Sequence, residues 1–281
     1  MKAIFRSVLF VSILACGAWA VECAERYGEG QVELVLATGS PGELGLVKAL
    51  AEEFSKTHNA SLCWVKAGSG KSLSLLKNKE VDVIMVHAPE AEKQAVLEGW
   101  ASNRTLIGSN EFYIAGPKND PAGIAKAKSA HEAYALIAKA KALFYTRADN
   151  SGTHKKELDI WKKASVEPQG DWYVPNKDFM LATLKKADTT GGYFMTDSST
   201  WVVAKKELSN LAVLFRGDVM LVNTYNALKQ AGLETDKKVL SKAFVDFVGG
   251  PEGQRIIGTF GTQMYGEPIY NDAVYVKPYD R

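Results

Sequence analysis

The chain has 281 residues, 46% of them hydrophobic, and its 34 basic and 32 acidic side chains leave a net charge of +2. That balance, spread along the chain, excludes the electrostatic footprint of a nucleic-acid binder, and the hydrophobic fraction is that of an ordinary globular protein. The apolar run near its start is too short to span a bilayer, and no other segment reaches the length of a transmembrane helix.

Met1, Lys2 and Arg6 give a positive start, residues 7–14 a short apolar core, and Ala18-Trp19-Ala20 a small-x-small cleavage site. Residues 1–20 therefore read as an export signal, and the mature chain as an exported, periplasmic protein. A competing reading makes Cys16 a lipid-bearing cysteine, which the large Leu14 two positions earlier disfavours. Cleavage after Ala20 leaves Cys23 and Cys63, which either pair in an oxidising compartment or stand as two separate small hydrophobes. The remaining ~260 residues exceed what one compact core holds, so two domains are expected.

Strand and helix patterns then alternate. Residues 31–36 alternate apolar and polar, and residues 43–56 place Val47, Leu50, Ala51 and Phe54 on one helical face. A strand at 61–66, a helix at 69–78, a buried strand at 81–86 and a helix from Pro89 to about Trp100 follow. Strand 111–115 leads into the turn-rich Gly116-Pro117-Lys118-Asn119-Asp120-Pro121, the best candidate for a domain crossing. A second set comprises helices at 130–142, 152–163, 179–187 and 199–208, and strands at 143–146, 172–174, 192–195, 212–215 and 220–225. An amphipathic helix carrying Val239, Leu240, Ala243, Phe244, Phe247 and Val248, then a shorter one at 252–257, close the chain.

This order predicts an α/β protein with largely parallel sheets. Lobe I is expected to comprise residues 28–116 plus 221–281, and lobe II residues 117–220. Two such connections would form a hinge and put a ligand cleft between the lobes.

Four loops join a strand to a helix with hydroxyls and glycines: Thr38-Gly39-Ser40, Gly68-Ser69-Gly70, Asp149-Asn150-Ser151-Gly152-Thr153 and Thr196-Asp197-Ser198-Ser199-Thr200. Each offers free N–H groups at the positive end of a helix dipole, which suits an anion. Any one of them could be plain N-capping; four distributed over two lobes favour a shared oxyanion. Arg147, just before the third loop, adds a planar fork suited to oxyanions, against the alternative of a surface ion pair with Asp149 or Glu157. Other chemistries fit less well. Gly68-Ser69-Gly70-Lys71-Ser72 lacks the P-loop's first glycine, because position 65 is Val65. His58, His87, His131 and His154 show no metal-ligand spacing, and His87 before Ala88-Pro89 reads as a residue that orders a loop. Asp149, Ser151 and His154 lie near one another, but no Gly-x-Ser-x-Gly elbow is present. No catalytic residue, metal or cofactor is expected.

Residues Arg147-Ala148-Asp149-Asn150-Ser151-Gly152-Thr153-His154 resemble the Arg-Gly-Asp-x-Ser-Gly-Thr-His signature of the tungstate-binding proteins of ABC importers, the TupA-like family. Residues 81–89 resemble that family's second signature and 116–124 a third, and the likeness extends along nearly the whole mature chain. Two departures stand out. The family's first loop is usually Thr-Thr-Thr-Ser, where this chain has Ala37-Thr38-Gly39-Ser40, and its Thr-Asp-Arg-Gly-Thr-Tyr is replaced by Thr196-Asp197-Ser198-Ser199-Thr200-Trp201.

The resemblance implies a two-lobed type II periplasmic-binding-protein fold. It implies oxyanion contacts from Thr38 and Ser40, from Ser69, and from Arg147 with Ser151 and Gly152; Thr196, in the fourth loop, completes the candidate set. It further implies a solute-binding subunit, monomeric, that delivers tungstate, or next molybdate, to a membrane permease and its ATPase. Phosphate or sulfate binding, and a ligand-presenting sensor, are the alternatives.

Overall fold

A computed structural model describes residues 21–233 and 235–280. The expected export signal and Cys16 lie outside these residues. No helix among the described residues is long and apolar enough to cross a membrane.

Ten strands carry the architecture: β1 (Glu25–Tyr27), β2 (Val32–Thr38), β3 (Ala60–Lys66), β4 (Val83–Val86), β5 (Ala101–Pro117), β6 (Phe144–Thr146), β7 (Tyr173–Pro175), β8 (Tyr193–Asp197), β9 (Leu211–Phe215) and β10 (Val222–Gln230). They run in the order β1-β3-β2-β4-β10-β5-β8-β6-β7, with β9 paired to β5. The helices that matter for the site are α1 (Ser40–Glu43), α2 (Leu46–Ser55), α3 (Ser69–Lys77), α4 (Pro89–Leu97), α5 (Ala130–Ala140), α6 (Gly152–Lys163), α7 (Met180–Thr190) and α8 (Ser198–Ala204); α9 (Thr235–Gly249) and α10 (Pro251–Thr259) follow β10.

The strands β2, β3 and β4 are parallel, as are β6, β7 and β8. Between these groups runs β5, longer than the sequence pattern predicted because residues 101–110 join it. From Ala101 to Glu111 it pairs antiparallel with β10; from Phe112 onward it pairs with β8 and, through Ile114–Pro117, with β9. The first ten residues of β5 and the end of β10 show no clean alternation, because β10 lies between β4 and β5 and is buried nearly throughout, including Lys229 and Gln230.

Burial follows strand periodicity. Leu34 and Leu36 of β2 face one core with Phe54, Met85 and Phe244, while Val35 and Ala37 face the other side with Cys63, Ile84 and Leu228. A separate core gathers Phe112, Ile114, Tyr134, Phe144, Trp161 and Tyr193 around the second group of strands. The apolar face expected on α2 is realised: Val47, Leu50, Ala51 and Phe54 are all buried. On α9 the expected stripe is partly displaced, with Val239 exposed and Val245 buried in its stead.

Cys23 and Cys63, left open by the sequence, form a disulfide with Cα atoms 5.4 Å apart, a separation that such a bond needs. Pairing of β1 with β3 sets Arg26 opposite Cys63 and brings the two cysteines into reach. A cross-link closing a loop of about 40 residues contributes about 4 kcal/mol in the chain-entropy account.

Candidate functional site

Parallel strands aim their carboxyl ends at one region, which in open α/β sheets is where ligands bind. Here β2 leads into Gly39-Ser40, β3 into Gly68-Ser69, β4 into His87, β6 into Arg147, and β8 ends at Asp197. A small enclosed cavity is lined by all of these, together with Ser151, Thr153, Phe179, Asn223 and Tyr225.

The first loop is fixed from behind: Trp64 Nε1 donates to the Thr38 carbonyl at 3.0 Å, and Gly42 lies so close to the indole that a Cβ there would sit 2.1 Å from it. Ser69 starts α3, and its hydroxyl accepts from the His87 N–H at 3.2 Å. The Ser151 hydroxyl caps α6 by accepting from the His154 N–H at 3.2 Å. The N–H groups of Gly152 and Thr153, in the first turn, have no acceptor within the helix and point at its start. Ala148 and Asn150 take left-handed φ values of 47° and 58°. Such angles favour glycine, which the related signature has at the first of these positions.

Arg147 is buried at 5% exposure. One guanidinium nitrogen pairs with Asp149 Oδ2, and the fork lies 5.5 Å from the centre of the Phe179 ring. The ion-pair alternative raised by the sequence is thus realised with Asp149, yet inside the cavity wall rather than on the surface. Arg147 Nε, Thr153 Oγ1 and His87 Nδ1 are buried without a protein partner.

The two carboxylates nearby are occupied. Asp197 accepts from the Thr200 N–H at 2.7 Å, the Thr200 hydroxyl at 2.9 Å, the Ser199 hydroxyl, and more distantly Asn110 and Ser40 at 3.4 Å. Asp149 accepts from the Ser151 N–H at 3.0 Å and from Arg147. Burial raises the pKa of Asp197, opposed by its donors from Ser199 and Thr200. Burial also holds the His87 imidazole down at about 4, against an opposing contribution from Asn223, so the ring is neutral at ordinary pH.

Of the sequence-predicted residues, Ser40, Ser69, Arg147 and Ser151 line this cavity. Gly152 stands at its edge: a Cβ on it would lie 2.4 Å from the His87 ring. Thr38 and Thr196 are fully buried but do not line it. The Thr38 hydroxyl donates to the Met85 carbonyl at 2.7 Å, and that of Thr196 to the Asp197 carbonyl at 3.2 Å.

Sequence reasoning missed Thr153, His87, Phe179, Asn223 and Tyr225. Thr153 stood inside the quoted motif, and His87 follows a buried strand as the other loops do. Asn223 and Tyr225 share one face of β10 by their spacing of two, but nothing local distinguished that face. The His87 ring lies 4.9 Å from that of Tyr225 and 6.1 Å from that of Phe112.

The starts of α3 and α6 meet across the cavity. A Cβ on Gly68 would lie 3.1 Å from the Ser151 Cβ, and one on Gly70 only 2.4 Å from the Asn150 carbonyl oxygen. Two positive helix ends, Ser69 in the first turn of one and the capping Ser151 of the other, and a guanidinium converge on one small space, a donor-rich enclosure suited to an anion.

Residues 24–252 match a profile of the PBP superfamily domain. The tungstate-binding protein TupA of Peptoclostridium acidaminophilum is 31% identical over 285 residues, covering 96% of this chain and 98% of that one. Two solved structures align well. The tungstate ABC transporter from Geobacter sulfurreducens is 38% identical with a TM-score of 0.72, covering 83% of this chain and 100% of that one. The tungstate binding protein TupA from Desulfovibrio alaskensis G20 is 35% identical with a TM-score of 0.69, covering 86% and 98%.

Proposed function

This chain belongs to the periplasmic-binding-protein superfamily in its two-lobed type II form, and within it to the TupA-like family, and we propose on that footing that it captures a tetrahedral oxyanion for an ABC importer. Tungstate is the first ligand, molybdate the next. The protein binds and delivers; it is not an enzyme. Its partners are a membrane permease and the ATPase that drives it, and it acts as a monomer, exported to the periplasm by residues 1–20.

The observation that carries this reading is the meeting of the α3 and α6 N-termini around Arg147. Ser40, Ser69, Ser151, the amides of Gly152 and Thr153, and Arg147 are the proposed contacts, with the Thr153 hydroxyl added. Thr38 and Thr196 act one layer back, by fixing the loops that carry Ser40 and Asp197. The ligand is fully deprotonated. A protonated oxyanion such as hydrogen phosphate needs an acceptor for its proton; Asp197, the carboxylate that lines the cavity, already takes more than one protein donor on each oxygen, and Asp149 pairs with Arg147 and does not line it.

The proposed lobes are residues 28–116 with 221–281, and 117–220. Their separate cores support that division, and the change of pairing partner inside β5, between Glu111 and Phe112, supports a first crossing a few residues earlier. Calorimetric titration of the mature protein with tungstate, molybdate, sulfate and phosphate is the test. Binding of tungstate and molybdate ahead of phosphate is expected; preference for phosphate would overturn the argument from occupied acceptors.

A further inference from the structure

Behind the oxyanion cavity, across the contact between His87 and Gly152, lies a second cavity of about 490 Å³, open along one side. That volume is within the range of small-molecule sites. One wall is a single face of α6, where Gly152, Lys155, Lys156, Asp159 and Lys163 recur at helical spacing. The facing wall is the start of α4, at Pro89–Ala91; the segment leading into β10 supplies Met220, and the first residue of β10 is Val222.

Lys155, Lys156 and Lys163 make no ion pair with any described residue, and Lys156 is partly buried, its pKa lowered by that burial with Asp159 opposing. A cation drawn out of water without a counter-ion is unfavourable. Across from it, Glu92 accepts the Ala88 N–H, but the Glu90 and Ala91 amides in the first turn of α4 have no intrahelical acceptor. Glu90 and Asp159 also line the cavity, but Glu90 is paired with Lys93 at 3.4 Å, so the three lysines leave the lining positive.

We propose that this cavity is a second ligand site for an organic monoanion: a carboxylate or sulfonate on an apolar body. The anionic group sits between Lys155, Lys156 and the α4 amides, and the apolar body lies against Met220 and Val222. The positive lining favours an anion, and Met220 and Val222 favour one with an apolar body over a bare inorganic ion. Because the walls come from both lobes, an occupant holds the closed arrangement and tightens oxyanion binding. That coupling rests on the oxyanion reading above; the site itself does not.

The experiment is a fluorescence titration of the mature protein with anilinonaphthalene sulfonate, followed by competition with benzoate and, separately, with tungstate. The wild-type protein should bind the dye, benzoate should displace it, and tungstate should not. The double variant Lys155→Gln/Lys156→Gln should lose at least about tenfold in dye affinity, while Lys126→Gln, an exposed control on another face, should not change it. Equal affinity in the double variant overturns the site. Displacement by tungstate does too, since it would put the dye in the oxyanion cavity. If the protein fails to bind tungstate in calorimetry, the oxyanion reading falls, whereas the lysine variants still decide this one.

Discussion

Arg147 is held by Asp149 on one side and the Phe179 ring on another, with its Nε left unpartnered in the cavity wall. Arg147→Ala should therefore weaken tungstate binding by about 2–5 kcal/mol, which is more than about tenfold. Arg147→Lys should restore only part of it, since an ammonium keeps the charge but loses the fork. Titration at matched folded fraction checks this, and unchanged affinity in the alanine variant would remove Arg147 from the site.

Glu157, on the same helix as the capping Ser151, is buried beneath Trp161 and Tyr173, which donate to it at 3.2 and 2.7 Å. Burial raises its pKa from 4.5 to about 7. The folded state thus holds this proton more tightly than the unfolded chain does. Its relative stabilisation is full below pH 4.5, declines as pH rises and is gone above about 7. Urea unfolding should show the wild-type protein losing about 3 kcal/mol relative to Glu157→Gln across that window; parallel pH profiles would contradict it.

At the level of elements, α3 approaches the start of α6 so closely that Gly70 has no room for a side chain. Gly70 lies in the first turn of α3, where alanine is the better helix former by about 1 kcal/mol. Gly70→Ala should therefore keep or raise the melting temperature, while its methyl group meets the Asn150 carbonyl and holds the two helix ends apart. Oxyanion affinity should fall by at least about tenfold, the loss of a single good hydrogen bond to a charged group. A variant that binds normally would mean that the cavity tolerates wider separation. Loop composition identified these helix starts, because Ser, Thr, Asp and Gly before an apolar periodic run are local signals. It could not identify which starts face one another.

Over the whole molecule, the proposed site lies between two separate cores joined by β5 and β10, so a ligand held there would contact residues from both and favour the folded state. Ligand binding to the folded state alone stabilises it by about 2.7 kcal/mol at one hundred times Kd. For a chain of this size that raises the melting temperature by about 5–10 °C. A thermal scan with excess tungstate should show the rise, excess phosphate should give much less, and no shift with tungstate would count against binding in the cleft.

The strand–helix alternation, the helix starts and the Arg147 motif were legible because each depends on short-range periodicity or on residue chemistry within a few positions. Ser40, Ser69, Arg147 and Ser151 follow the ends of parallel strands, and that placement is a local property. The sequence left open whether Cys23 pairs with Cys63; register between β1 and β3 decided it. Hydroxyl direction was equally out of reach: Thr38 and Thr196 have the right side chain in the right loop, yet backbone carbonyls take their hydrogens. His87, Asn223 and Tyr225 reach the cavity from strands far apart in the chain, and only the packing of β4 against β10 beside β5 brings them there. Periodicity determines which face of an element is apolar, while long-range pairing determines what that face meets. For this protein the chain names candidate donors, and only the fold shows which of them share an enclosure.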